Sequence, residues 1–276
     1  MKNIKVALIQ MKVIDNKDKN LAKAEKLINK AVKNEVDFVM LPEMFNCPYQ
    51  NDKFPEYAEK EGEKSWRFLA DIAQKNDIYL VGGSIPEKDN KDNIYNTSYV
   101  FNKKGEEIAK HRKMHLFDID VEGGQTFKES DTLKAGSEIT TFTTPYGKMG
   151  IVVCYDLRFP ELSALLSKKG VDFILVPGAF NMTTGPAHWE LLFRSRALDN
   201  QVYTLGTAPA RDESQSYVSY GNSIIVSPWG EVIDRLGGEE DILIANLDLD
   251  YLEKIKKELP LLKHKRYDLY SLTEKN

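Results

Sequence analysis

Short apolar, β-branched runs alternate along this chain with segments whose apolar positions recur at helical spacing, and that alternation restricts it to a layered α/β fold. Ile4 to Met11 reads as a strand. From Asn16 to Lys33, Leu21, Ala24, Leu27, Ile28, Ala31 and Val32 fall on one helical face, with lysines opposite. Asp37 to Leu41 (DFVML) is the next strand and runs into Pro42 and Glu43. A helix carrying Trp66, Leu69, Ala70 and Ala73 follows, then a strand from Ile78 to Ile85. Shorter strands around Thr97–Phe101 and Glu107–Lys110 flank a turn at Lys104–Gly105. Met114 to Ser137 has no clear period and is read as a long loop, a feature that is usually functional in a compact domain. Ile139 to Thr144 and Met149 to Val153 form a hairpin about Pro145–Tyr146–Gly147.

The second half repeats the theme. Leu162, Leu165 and Leu166 mark a helix and Asp172 to Val176 a strand. DFVMLPEMF (37–45) and DFILVPGAF (172–180) are both strands that end in a proline and a turn, which suggests a pseudo-symmetric sandwich. A helix opens at Gly185–Pro186 and runs to about Asn200. Strands follow at Gln201–Thr207, Gly221–Ser227 and Glu231–Leu236, the last two joined by Pro228–Trp229–Gly230, and Ile242–Leu247 closes the core. Tyr251 to Asn276 reads as a helix and charged tail, either solvated or reaching a second subunit. The 276 residues fit one large domain, 1–276, with no linker.

Composition excludes several classes of function. A net charge of −4 argues against a nucleic-acid or membrane-surface binder, and 29% charged residues describe a soluble surface. No stretch is long enough to cross a membrane. MKNIKVALIQ reads as a first strand, not a signal peptide, because no cleavage site follows its apolar run. Two cysteines, Cys47 and Cys154, lie far apart and outside any metal-ligand spacing, which points to the reducing cytoplasm. His111 and His115 in HRKMH lack the partners of a zinc site, and His188 near a helix start reads as structural.

The chemistry centres on KMGIVVCYDLRFPEL (148–162). Cys154 follows a buried strand, and Pro160 marks the start of a helix, so the thiol stands where backbone N–H groups favour an anion. By itself it is either an inert buried cysteine or a nucleophile. A nucleophile needs a base and a group to hold the oxyanion. Glu43 occupies the same kind of position, at a strand's C-terminal end, and Lys113 follows a short strand. Brought together, the lysine would lower the thiol pKa and hold a developing negative charge. A solvated strand-end Glu or Lys is the alternative for each. Arginine is scarce, eight of 38 basic residues, and four lie between Arg158 and Arg211. A retained guanidinium suits a fork-shaped task such as holding a carboxylate.

The motifs LPEMF around Glu43, HRKMHLFD around Lys113 and GIVVCYDLRFPEL around Cys154 occur in that order. Together they make the chain resemble the nitrilase superfamily of carbon–nitrogen hydrolases over essentially its whole length. HLFDIDVEGGQTFKES, GAFNMTTGPAHWELLFRSRALDNQVY and KRYDLY look most like its omega-amidase branch. The resemblance implies a four-layer αββα sandwich, a homodimer or larger homo-oligomer, and no metal or organic cofactor. It implies Glu43 as general base, Cys154 as nucleophile, Lys113 as stabiliser of tetrahedral intermediates and Glu129 as the residue that orients Lys113. The Tyr155 backbone N–H would complete the oxyanion hole. The implied substrates are monoamides of dicarboxylic acids, such as 2-oxoglutaramate, 2-oxosuccinamate and succinamate. Arg158 would either hold the distal carboxylate or brace the cysteine turn through Asp156 or Glu161. Tyr155 and the loop from Phe180 to Thr184 would wall the pocket. Alternatives are an amidase of the same superfamily acting on deaminated glutathione or an N-carbamoyl amine, and a non-catalytic binding protein that keeps the fold.

Overall fold

Three separate slabs of buried apolar side chains need four layers of secondary structure to enclose them. The computed structural model describes residues 2–275; Met1, at the head of the expected first strand segment, and Asn276, the end of the expected tail, lie outside the described residues. In chain order the first half forms β1 (Asn3–Gln10), α1 (Lys17–Ala31), β2 (Phe38–Met40), α2 (Lys53–Tyr57), α3 (Lys64–Lys75) and β3 (Tyr79–Val81). Then come β4 (Ile85–Lys88), β5 (Ile94–Phe101), β6 (Glu107–Arg112), β7 (Asp118–Asp120) and β8 (Thr126–Lys128). The second half supplies β9 (Thr141–Thr144), β10 (Gly147–Ile151), α4 (Pro160–Lys168), β11 (Phe173–Pro177), α5 (Gly185–Asn200) and β12 (Tyr203–Thr207). It ends with β13 (Ile224–Val226), β14 (Val232–Arg235), β15 (Asp241–Asp248) and α6 (Leu249–Glu258).

The strands make two main sheets. One runs β15-β1-β2-β3-β5-β4 with β6 on the free side of β5; the other runs β14-β13-β12-β11-β10-β9. Each has a parallel centre, β1-β2-β3 and β10-β11-β12. The strand period of two sends alternate side chains to opposite slabs. Ile4, Val6 and Leu8 of β1 meet Phe173 and Leu175 of β11 in the central slab, between the sheets. Ala7 and Ile9 of β1 face outward to Leu21, Ala24 and Ile28 of α1. Ile174 and Val176 of β11 face outward to Trp189, Phe193 and Ala197 of α5. The order of layers is therefore helix, sheet, sheet, helix. The matched motifs at 37–45 and 172–180 occupy equivalent central strands, β2 and β11.

Some elements differ from the sequence expectation. The strand expected from Ile78 to Ile85 breaks into β3 and β4. Gly83 adopts φ +60°, and a Cβ there would lie 2.1 Å from the Pro42 carbonyl oxygen. Only glycine admits that approach, which sets the Pro42–Glu43 corner against Ser84, whose hydroxyl accepts from the Met44 amide at 3.0 Å. The expected loop from Met114 to Ser137 contains the hairpin β7–β8, in which Asp118 pairs with Lys128 and Asp120 with Thr126. Three-residue strands with only Ile119 and Phe127 turned inward are too short to reveal a period. The final strand is longer than Ile242–Leu247 and crosses back to the first sheet, pairing antiparallel with β1 from Asn3↔Asp248 to Gln10↔Asp241. Beyond α6 the tail lies along α4, where Lys168 Nζ donates to the Leu272 carbonyl at 3.0 Å and Lys169 pairs with Glu274 at 2.7 Å.

Candidate active site

Strand ends build the site. Glu43 follows β2, Lys113 follows β6, Cys154 lies three residues past β10, and Ala179 and Phe180 follow β11. In sheets with parallel centres the C-terminal strand edges carry the ligand-binding groups, because loops there are free to vary. The two stacked sheets bring these ends together from segments more than a hundred residues apart.

The structure brings Glu43, Lys113, Glu129 and Cys154 into one cluster. The first three are fully buried and Cys154 is 3% exposed. Lys113 Nζ donates to Glu43 Oε1 at 3.1 Å and to Glu129 Oε1 at 2.9 Å, and lies 2.8 Å from Glu129 Oε2. Glu43 Oε2 accepts from the Ala179 amide at 2.7 Å. The Phe117 amide donates to Glu129 Oε2 at 2.6 Å. The thiol of Cys154 lies beside the Glu43 carboxylate, close enough to feel its charge. Two residues that sequence reasoning missed complete the cluster. Asn96, inside β5, donates from Nδ2 to Glu43 Oε1 at 2.8 Å, and its backbone carbonyl accepts from the Lys113 amide at 2.9 Å. The Tyr49 hydroxyl donates to Glu129 Oε1 at 2.7 Å.

Cys154 opens a 3₁₀ turn that runs to Arg158, with φ +49°, a left-handed value that costs a non-glycine residue about 1–2 kcal/mol. Asp156 holds the turn. Its buried carboxylate accepts from the amides of Val153 (3.0 Å), Met114 (3.2 Å) and His115 (2.8 Å). It also lies 3.2 Å from His111 Nε2 and 2.7 Å from His115 Nδ1. One carboxylate thus ties the nucleophile's turn to the residues that flank Lys113, and this is the use of the HRKMH histidines. Arg196 adds a second brace, donating to the carbonyls of Leu157 at 3.1 Å and Arg158 at 3.0 Å. Bracing of the turn therefore falls to Asp156 and Arg196, and not to an ion pair of Arg158 with Asp156 or Glu161.

Arg158 makes no ion pair among the described residues. Its guanidinium sits 4.6 Å from the Phe180 ring centroid and 5.6 Å from that of Tyr155, with Nη1 donating to His188 Nδ1 at 3.1 Å. Its Nε is buried without a partner. Phe180 packs edge-on against Trp189. Tyr155 packs against Phe117 and Phe159, so the expected pocket walls are aromatic. Tyr217, another residue the sequence did not reveal, packs tilted against Tyr49 with ring centroids 4.5 Å apart and donates to the Ala179 carbonyl at 2.5 Å. Among the described residues, no group of three or more His, Cys, Asp or Glu is placed to share a metal ion, and no helix is long and apolar enough to cross a membrane.

Burial sets the electrostatics. It raises the Glu43 pKa; Lys113 opposes the rise and the Glu129 charge adds to it. Burial would depress the Lys113 ammonium, but Glu129, Glu43 and Cys154 reverse this and hold it above its ordinary value, so the lysine stays charged. For Cys154 the direction differs from the sequence expectation. Burial and then the neighbouring Glu43 charge push the thiol well above its ordinary value, outweighing Lys113. The resting group is a neutral thiol beside a carboxylate, and its chemistry requires a base.

Two stacked sheets between helical layers, with a thiol, two carboxylates and an ammonium enclosed at the strand ends, define a nitrilase-type αββα protein. A model of the carbon–nitrogen hydrolase family matches residues 5–257, and the chain belongs to that family. It is 52% identical over 275 residues to omega-amidase NIT2 of Xenopus tropicalis, covering 100% of this chain and 99% of the relative. It is 48% identical to the human omega-amidase NIT2 over the same shares. The crystal structure of Saccharomyces cerevisiae Nit3, a member of branch 10 of the nitrilase superfamily, superposes with a TM-score of 0.89. The two are 45% identical, with 96% of this chain and 97% of that one covered.

Proposed function

We infer that this protein is an omega-amidase, hydrolysing the terminal amide of dicarboxylic acid monoamides such as succinamate, 2-oxoglutaramate and 2-oxosuccinamate to the dicarboxylate and ammonia. The observation that carries the reading is the convergence of Cys154, Glu43 and Lys113 in one buried cluster, with the guanidinium of Arg158, which makes no ion pair among the described residues, close by. Near half-identity to vertebrate omega-amidases over the full chain supports the substrate class.

In this mechanism Glu43 takes the Sγ proton as Cys154 attacks the amide carbon. The charge that develops on the amide oxygen is met by Lys113 and the Tyr155 backbone N–H, and Glu129 keeps Lys113 in place. Collapse breaks the C–N bond; the proton on Glu43 passes to the leaving nitrogen, and ammonia departs from a Cys154 thioester. Glu43 then removes a proton from water, the hydroxide adds to the thioester, and the C–S bond breaks. The thiolate regains its proton from Glu43 and the dicarboxylate is released. No step calls on a metal or organic cofactor.

Arg158 is the proposed partner of the distal carboxylate, with Tyr155 and Phe180 as walls. A half-buried guanidinium on an aromatic face, with no carboxylate partner among the described residues, has donors available for a planar anion. Arg158→Lys keeps the charge but loses the fork. It is expected to raise KM for succinamate about tenfold or more, the loss of one charge-assisted hydrogen bond, and to leave KM for a simple monoamide such as butyramide nearly unchanged. Equal effects on both would remove the assignment.

We further propose a cytoplasmic homodimer of single-domain subunits. Leu191 and Leu198 on α5 are 62% and 41% exposed and Leu269 in the tail is 70% exposed, apolar surface that a second copy would cover. Sedimentation equilibrium should give twice the 31.5 kDa chain mass; a monomer at micromolar concentration would contradict it.

A further inference from the structure

Counting hydrogen-bond positions separates the two carboxylates of the cluster. Glu129 Oε1 accepts from the Tyr49 hydroxyl at 2.7 Å and from Lys113 at 2.9 Å, while Oε2 accepts from the Phe117 amide at 2.6 Å and faces the same ammonium at 2.8 Å. A carboxylate offers roughly four such positions; with one Lys113 hydrogen shared between the two oxygens, and Asn96 Nδ2 adding a long contact to Oε1 at 3.5 Å, four donors fill Glu129. Glu43 Oε1 accepts from Asn96 at 2.8 Å and Lys113 at 3.1 Å, and Oε2 accepts only the Ala179 amide at 2.7 Å. One position remains on Glu43, next to the thiol.

The ammonium is also fully used. Its three hydrogens go to Glu43, to Glu129 and, at 3.2 Å, to the Tyr49 oxygen. Tyr49 has a single hydrogen, and the 2.7 Å distance to Glu129 against 3.4 Å to Glu43 commits it to Glu129. Burial, with Glu129 and Glu43 beside it, pushes the phenol well above its ordinary pKa, so it remains a neutral donor. Cys154 and Tyr217 are the other titratable groups that face it.

We propose that Tyr49 is a positioning residue for the reaction. It fills the last place on Glu129, which leaves Glu43 as the one carboxylate with room for the thiol proton, and it holds the third Lys113 N–H in reserve. Of the three acceptors on Lys113 the phenol is the only neutral one and makes the longest bond. It is therefore the one an anionic oxygen displaces, since charge-assisted bonds are stronger. The proposal rests on the amidase reading above.

The Tyr49 ring is held by Tyr217 at 4.5 Å, Phe127 at 5.5 Å and Phe54 at 5.5 Å. Phenylalanine at this position keeps that packing and deletes only the hydroxyl. In Tyr49→Phe, kcat for succinamate should fall about ten- to hundredfold, as expected for a lost hydrogen bond to a charged group, with KM within about threefold and an unchanged thermal midpoint. Tyr49→Leu, by contrast, should lower the midpoint as well. Alkylation of Cys154 by iodoacetamide reads the same cluster with no amidase substrate, and should slow about fivefold or more in Tyr49→Phe. A Tyr49→Phe kcat within twofold of wild type, or a loss that appears only together with a lowered midpoint, overturns the proposal. Should the wild-type enzyme release no ammonia from succinamate, the substrate reading fails and alkylation decides: a slower thiol supports the role of Tyr49, an unchanged one ends it.

Discussion

Cys154→Ala is expected to reduce ammonia release to the assay floor, a loss on the order of 10⁵-fold or more of the kind seen when a covalent nucleophile is deleted. The fold should survive. Cys154 lies at the edge of the slab between the second sheet and α4–α5, and the turn it opens is held by Asp156 and Arg196, not by the sulfur. Alanine retains the backbone and forfeits one buried sulfur atom, so circular dichroism and the thermal midpoint should stay close to wild type. Ammonia release from Cys154→Ala at even a few per cent of the wild-type rate would exclude a thioester route.

Glu43→Gln should cost on the order of hundredfold to ten-thousandfold in kcat/KM, the range for a general base. The amide preserves shape but inverts part of the hydrogen-bond pattern. It must face Asn96 Nδ2, Lys113 and the Ala179 amide, which all donate, so its own NH₂ finds an acceptor only if the Asn96 amide turns its unpartnered Oδ1 inward. The loss should fall on both half-reactions, because in the proposed mechanism the same carboxylate takes the thiol proton and later the water proton. It also predicts a pH dependence of defined sign. Glu43 must be ionised to act, and its pKa is raised, chiefly by burial. Wild-type kcat/KM should therefore fall on acidification at a pH above the usual carboxylate range. An acid limb at or below the ordinary glutamate value in wild type would contradict the assignment.

The sequence made one half of the site readable and hid the other. Cys154 and Glu43 each follow a short buried run with turn chemistry behind it, so their positions at strand ends follow from local pattern. Lys113 also follows a short strand, but pattern alone leaves it equally a solvated strand-end lysine, and Glu129 needed the family resemblance entirely, since it lies in a segment without a period. Tyr49, Asn96 and Asp156 carry no local signal. Asn96 sits within β5 with nothing to distinguish it from a strand polar residue, and its partner Glu43 is 53 residues away. Tyr49, in the loop beyond β2, and Glu129, just after the β7–β8 hairpin, are 80 residues apart and meet only in the folded chain. The same limit applies to the fold. The strand–helix alternation indicates layers, but the return of β15 to β1 is a pairing across the whole chain that no window contains. The direction of the thiol's pKa escapes the sequence for a related reason: charge type can be read from a sequence, whereas complete burial of the cluster is a property of packing.

The most direct test of the account is ammonia release from succinamate and 2-oxoglutaramate by the purified protein, with butyramide as the neutral comparison and Cys154→Ala as control. Rapid release from both dicarboxylate monoamides is expected, with much slower release from butyramide and none from the variant. Equal turnover of butyramide and succinamate, or no release from either dicarboxylate monoamide by a protein whose Cys154 still alkylates readily, would contradict it.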